Sequence, residues 1–193
     1  MSVVIIDYNA GNVQSVTYAL NRLGVEPVLS ANAEVIGAAD KVIFPGVGEA
    51  STAMNFLKSN GLDQVIKGLS QPVFGVCLGL QLMCNHSEEN DTECLGIFDV
   101  AVKKFPSTLK VPQMGWNSLS AMNSDLFKGL PSDPYVYYVH SYYAELSDFT
   151  VAQTDYIHPF SAALQKDNFY ALQAHPEKSG KVGEEILENF LQL

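Results

Sequence analysis

Three groups in this sequence could do chemistry together: a cysteine in Gly75-Val76-Cys77-Leu78-Gly79, a turn Pro45-Gly46-Val47-Gly48, and the tripeptide His175-Pro176-Glu177. A thiol that loses its proton to an imidazole is a strong nucleophile towards acyl carbon, and a carboxylate two residues past the imidazole can fix its tautomer and orientation. The chemistry expected of such a set is acyl transfer through a thioester, with His175 taking the thiol proton and returning it to the leaving group. Each group alone has a plainer explanation. A lone cysteine is more often a buried structural thiol, two glycines more often a tight turn, and a histidine near a strand end more often an ordinary polar residue.

The elements around these residues decide whether they meet. Val3 to Ile6 is a short β-branched run closed by Asp7, which predicts a buried strand. Asn12 is placed to cap a helix with apolar positions Val13, Val16, Leu20 and Leu23, and Gly24 ends it. Further strands are expected over Pro27 to Leu29, Lys41 to Phe44 and Pro72 to Val76. Helices are expected over Ser51 to Lys58, Leu62 to Leu69 and Leu78 to Cys84. This alternation implies parallel strands with helices covering both faces. Strand-like stretches then follow with shorter connections, over Ile97 to Phe105, Trp116 to Ala121, Tyr135 to Val139, Ser161 to Leu164 and Phe169 to Gln173. Part of the sheet is therefore expected to be antiparallel. Val182, Ile186, Leu187, Phe190 and Leu191 lie on one face of a closing helix. With no internal repeat or linker, the expected fold is one α/β domain over residues 1–193, three layers with an open, mostly parallel central sheet.

On that fold Cys77 sits where a strand meets a helix, flanked by residues small enough for a sharp turn, with the Leu78 amide aimed where an oxyanion would form. The Gly46 to Gly48 turn follows a neighbouring strand, where glycines permit positive φ and close approach of amides to a ligand. Pro176 is expected to hold His175 and Glu177 in a rigid extended relation. All three groups would then gather at the carboxyl ends of strands, where open α/β sheets place their sites.

Composition narrows the alternatives. The chain has 193 residues, 47% of them hydrophobic, enough for one sizeable core. Its net charge of -10, from 21 acidic against 11 basic residues, repels phosphate backbones and anionic membrane surfaces, so no nucleic acid or membrane partner is expected. No secretory leader and no apolar stretch of about 20 residues is visible, which points to a cytoplasmic protein. Cys77, Cys84 and Cys94 are too few for a disulfide framework or a four-thiolate zinc site. His140, on an otherwise apolar strand, is expected to be a hydrogen-bonded core histidine, and His86, His158, Cys84 and Cys94 to be structural.

These stretches also resemble a known family. PGVG, GVCLGLQ (Gly75 to Gln81) and HPEKSG (His175 to Gly180) are similar to the three signatures of the type I, triad-dependent glutamine amidotransferases. IDYNAGNVQSV (Ile6 to Val16), VPQMGWN (Val111 to Asn117) and YYVHSYY (Tyr137 to Tyr143) resemble, within it, the glutaminase subunits of imidazole glycerol phosphate synthases of histidine biosynthesis. The resemblance implies Cys77 as nucleophile, His175 as base and acid, and Glu177 as its orienting partner. It further implies Leu78 and the turn Gly46, Val47 and Gly48 at the oxyanion, and Gln81, Ser141 and Tyr142 at the amino and carboxylate ends of glutamine. Tyr137 and Lys178 become candidates for sensing a partner. That implied partner is a (β/α)8-barrel cyclase, joined as a heterodimer, which uses the ammonia to make imidazole glycerol phosphate and aminoimidazole carboxamide ribotide. No metal or organic cofactor is implied. Three departures stand out: no glycine at Asn9 or Ala10, Gln113 where the family pattern has histidine, and no glycine-rich turn over Leu95 to Asp99. A glutaminase serving another synthase explains VPQMGWN and YYVHSYY poorly. A catalytically silent binding protein fits an intact Cys-His-Glu set poorly.

Overall fold

The strands Val3–Ile6, Lys41–Phe44 and Val73–Val76 are buried at every position because they are covered on both sides. In the computed structural model, which describes residues 1–9 and 11–193, the elements run β1 (Val3–Ile6), α1 (Val13–Arg22), β2 (Val28–Ser30), α2 (Ala33–Gly37), β3 (Lys41–Phe44), α3 (Ala50–Ser59), α4 (Leu62–Lys67), β4 (Val73–Val76) and α5 (Leu78–Met83). Then come β5 (His86–Ser87), β6 (Thr92–Glu93), β7 (Ala101–Lys104), β8 (Gln113–Ser118), β9 (Tyr135–His140), β10 (Tyr142–Ala144), β11 (Thr150–Tyr156), β12 (His158–Lys166), β13 (Phe169–Leu172) and α6 (Gly180–Gln192). Ala10, one of the two first-loop positions without the family's glycine, lies outside the described residues.

Eleven strands form one sheet in the order β2-β1-β3-β4-β13-β12-β10-β7-β5-β6, with β11 paired to β12. From β2 to β13 every pairing is parallel, and β13-β12, β12-β10 and β10-β7 are antiparallel. Strand periodicity splits the core in two. Val4, Ile6, Val42, Phe44 and Val73 join α2 to α5 on one face, while Val3, Ile5, Ile43, Phe74 and Val76 join α1 and α6 on the other. That is the expected three-layer arrangement. Strands β8 and β9 form a separate two-stranded antiparallel sheet.

Several expectations need correction. Asn12 does not cap α1: it takes the left-handed conformation, φ 72°, and makes no capping bond. The strand expected over Ile97 to Phe105 shrinks to β7, because residues 95–98 fold back onto α5, with Leu95 N donating to Leu82 O and both Ile97 N and Phe98 N to Met83 O. The strand expected from Trp116 begins at Gln113 and ends at Ser118, and the one expected over Ser161 to Leu164 extends to His158–Lys166. Helix α2 and strands β5, β6, β10 and β11 lie outside the sequence expectations altogether. Among the described residues no helix is long and apolar enough to cross a membrane.

Candidate active site

Neighbouring strands β3, β4 and β13 end together, with Phe44 opposite Gly75 and Val76 opposite Leu172. The next residues of each strand are the three sequence groups: the turn after Phe44, Cys77 after Val76, and Gln173 to His175 after Leu172. Their convergence follows from strand order. The Cys77 amide donates to Leu172 O at 2.8 Å, which ties the elbow to the strand carrying His175.

Cys77 has φ 54° and ψ -106°, a backbone state that side chains avoid and that only over-determined surroundings maintain. The surroundings here are main chain. A Cβ on Gly79 would lie 1.9 Å from Phe44 O, so α5 rests directly on β3. The elbow expected from sequence is present, and Cys77 is buried at 5% exposure. Helix α5 has only six residues, however, so its dipole is short.

The turn behaves differently from expectation. The Leu78 amide is not free: it donates to Gly46 O at 3.2 Å. Gly48 has the expected positive φ, 126°. Gly46 is glycine for another reason, since a Cβ there would sit 2.0 Å from the Tyr8 hydroxyl, which donates to Pro45 O.

His175 and Glu177 do meet, though not in extended form. Residues Pro176–Lys178 make one turn of 3-10 helix, and that turn brings the Glu177 carboxylate back to the ring. His175 Nδ1 lies 2.8 Å from Glu177 Oε1, with the side chains 1% and 0% exposed. The other ring nitrogen, Nε2, is buried with no hydrogen-bond partner among the described residues. Burial by itself lowers the imidazole pKa, but the neighbouring Cys77 and the Glu177 carboxylate outweigh it and push the pKa up to about 10. Nε2 and the sulfur are therefore neighbours without being aligned as a bonded pair. Glu177 Oε1 also accepts from Asn12 Nδ2 at 2.5 Å, so Asn12, expected as a helix cap, is the second holder of this carboxylate. Strand β9 fixes the turn through main chain, with His175 N donating to Tyr137 O and Tyr137 N to Ser179 Oγ, each at 2.9 Å.

Cys77 opens into a cavity of about 430 Å³ whose lining includes Gly48, Leu78, Gln81, Glu89, Ser141 and Tyr142. Gln81 is buried rather than solvent-facing, and its Nε2 donates to Tyr142 O and to Gln173 Oε1, both at 3.0 Å. Glu89 has no motif to mark it in the sequence. Its carboxylate accepts from the Ala50 amide at 2.8 Å, and burial raises its pKa despite that bond, with Glu49 adding to the rise. Val47 lines the same cavity. Lys178 is exposed and Tyr137 half-buried, both outside the cavity. His140 is the core histidine expected: its two nitrogens face Tyr142 O at 2.7 Å and the Gln113 side-chain amide at 2.9 Å, and burial pushes its pKa down to about 4.

The chain is also similar to known proteins along nearly its whole length. The family model for glutamine amidotransferase class-I matches residues 4–193. The chain is 62% identical over 196 residues to the imidazole glycerol phosphate synthase subunit HisH of Bacteroides thetaiotaomicron, and 45% identical over 196 residues to that of Yersinia pseudotuberculosis, covering the whole of both chains in each case. In fold it is similar to a putative GMP synthase component from Thermoplasma acidophilum, with TM-score 0.77 at 22% identity, covering 100% of this chain and 93% of the other. The chain therefore belongs to the class-I glutamine amidotransferases, in the branch formed by the HisH subunits of imidazole glycerol phosphate synthase.

Proposed function

We propose that this chain hydrolyses glutamine to glutamate and ammonia through a thioester on Cys77, and delivers the ammonia to a cyclase partner of (β/α)8-barrel form. The observation that carries the reading is the buried His175-Glu177 pair, whose unbonded Nε2 lies beside a thiol held at a strained elbow in the floor of the cavity. In the cavity, Glu89 receives the substrate ammonium, and Ser141 and Tyr142 hold the carboxylate end. Gln81 offers its carbonyl oxygen, because both amide hydrogens are committed elsewhere. The Cys77 thiolate adds to the side-chain amide carbon, His175 protonates the departing ammonia, and water attacks the γ-glutamyl thioester with His175 now as base. The free thiol and glutamate are restored. Glu177 keeps the Nδ1 proton on the side away from the sulfur.

The resting oxyanion site is closed, since Gly46 O occupies the Leu78 amide. Opening it requires the Gly46–Val47 peptide to turn over, which removes a carbonyl and presents the Val47 amide in its place. One oxyanion donor is worth about 3 kcal/mol, or a hundredfold or more in rate. Partner binding is the natural trigger. Met114, Trp116 and Tyr135 are 55 to 60% exposed on β8 and β9, and Trp116 packs edge-on against Tyr137, whose main chain holds the His175 turn. This apolar face next to the triad is where the cyclase would dock. Exposed Lys178 lies on the same turn.

Steady-state glutamine hydrolysis by the chain alone, with the cyclase, and with the cyclase plus a nucleotide analogue tests the reading. Turnover is expected to rise at least about a hundredfold across the three. In the complex, Cys77→Ala should abolish hydrolysis yet still make product from ammonium salts. Retained hydrolysis in the variant overturns the role of Cys77, and equal turnover in the three samples overturns the gate.

A further inference from the structure

Four buried side chains outside the triad form a continuous hydrogen-bonded chain that ends on the nucleophile. Gln113, His140, Gln81 and Gln173 are 4%, 5%, 4% and 0% exposed. Gln173 Nε2 donates to Cys77 Sγ at 3.6 Å, and its Oε1 accepts from Gln81 Nε2 at 3.0 Å. Gln81 also donates to Tyr142 O, the same carbonyl that faces His140 Nδ1, and His140 Nε2 faces the Gln113 amide.

The direction of each bond follows from its ends. Tyr142 O can only accept, so His140 Nδ1 carries the proton of the neutral ring. Nε2, 2.9 Å from Gln113 Oε1, is then an acceptor, so the Gln113 amide must turn over to present its NH2, an orientation that only the network can assign. Reversing Gln113 would force the other tautomer on His140 and leave Tyr142 O with one donor instead of two. Such a chain costs free energy at every unmet link in a dry interior, so its orientations are set together.

Its two ends lie in different places. Gln113 points inward from β8, whose next residue, Met114, is 60% exposed on the face described above. Gln173 touches the sulfur.

We infer that Gln113 and Gln173 are positioning residues, joined through His140 and Gln81 into a relay that holds the Tyr142 side of the substrate cavity and stabilises the Cys77 thiolate in response to the state of strand β8. The donor on sulfur favours the thiolate over the thiol, because a hydrogen bond to a charged acceptor is stronger than one to a neutral acceptor. The relay gives Gln113 on β8 a direct line to the nucleophile.

The inference rests on the glutaminase reading for its consequence, but its readout does not need glutamine. In the complex with the cyclase, the rate of Cys77 alkylation by iodoacetamide is followed against pH. Cys84 and Cys94 are buried with raised pKa values and stay silent, and the titratable groups coupled to Cys77, His175 and Tyr8, are left in place. Gln173→Met removes the donor to sulfur without placing a new charge beside it. Alkylation at neutral pH should slow about tenfold, with the profile moved to higher pH. Gln113→Met removes only the remote donor. It should slow alkylation about threefold and raise the KM for glutamine more than it lowers kcat. A purely structural role would lower the melting temperature of either variant and leave the alkylation profile unchanged, and that result overturns the relay. If Gln173→Met does not fold, Gln113→Met decides alone: a parental profile in that variant refutes the inference. Normal alkylation shifts without any glutamine hydrolysis would instead retain the relay and refute the glutaminase reading.

Discussion

Two buried histidines lie close together in this molecule and titrate in opposite directions. His175 faces a thiol and a carboxylate and is pushed up to about 10, whereas His140 faces a carbonyl and an amide and is pushed down to about 4. Burial disfavours the imidazolium at both sites, and only at His175 do the neighbours outweigh it; at His140 the Tyr142 carbonyl opposes burial without overcoming it, and the nearby His175 adds to the lowering. The lesson concerns function more than burial: one ring is set to carry a positive charge beside a sulfur, the other to stay neutral and direct hydrogen bonds. Sequence context already hints at the separation, since His175 is followed two residues on by Glu177 whereas His140 lies on an otherwise apolar strand.

The sharpest attack on this contrast is substitution of each ring. His175→Ala should lower kcat for glutamine in the complex by about ten-thousandfold, while His140→Gln should cost under about tenfold and act mainly on KM. Similar losses in kcat would mean that the two are not functionally distinct. Glu177→Ala should cost about a hundredfold, less than loss of the base, because the carboxylate orients and stabilises without touching substrate. Losses equal to those of Cys77→Ala in a well-folded protein would give it a direct role.

Next is stability against pH. For His140 the unfolded chain binds the proton more tightly than the folded one between about 4 and the ordinary value near 6.5, so stability rises with pH across that window and is lost as pH falls through it, by on the order of 3 kcal/mol. For His175 the folded protein holds the proton more tightly. Its contribution is complete below about 6.5 and is lost as pH rises through about 10. Denaturant melts across pH should show the acid slope flattened in His140→Gln. NMR titration of His175 should move to lower pH in Cys77→Ala, because the thiol is the stronger of the two compensating neighbours. A milder effect than that of Glu177→Ala is expected from Asn12→Ala, about tenfold in kcat, since Glu177 keeps its bond to His175 and loses only its second donor.

The parallel half of the sheet was legible where both faces are covered: β1 and β3 match their apolar runs and β4 differs by a residue, while the exposed edge strand β2 is shifted by one. In the antiparallel half, β11 alternates half-buried positions with Thr, Gln and Asp, and β5 and β6 are two residues each, too short for a period. Helix α2 is also short, and its signal was the Asn32 side chain, which accepts from Glu34 N and Val35 N. At the site, the convergence of Cys77, the Gly46–Gly48 turn and His175 was legible because strand ends must converge in this topology. Asn12, Glu89 and Gln173 were not, because their bonding depends on contacts far along the chain. For Asn12 the signal was a left-handed conformation that an asparagine tolerates and a capping residue does not need.

The contact of Gly79 with Phe44 O has a consequence for how this protein tolerates change. Side chains absorb errors by rotating, but two main chains in contact have no such slack, so the spacing between the nucleophile and the neighbouring turn is a fixed datum rather than an adjustable clearance. Core residues around it can vary at the expense of stability while the sulfur stays in register. Position 79 cannot: even the smallest added side chain should leave a folded domain whose thiol is out of place.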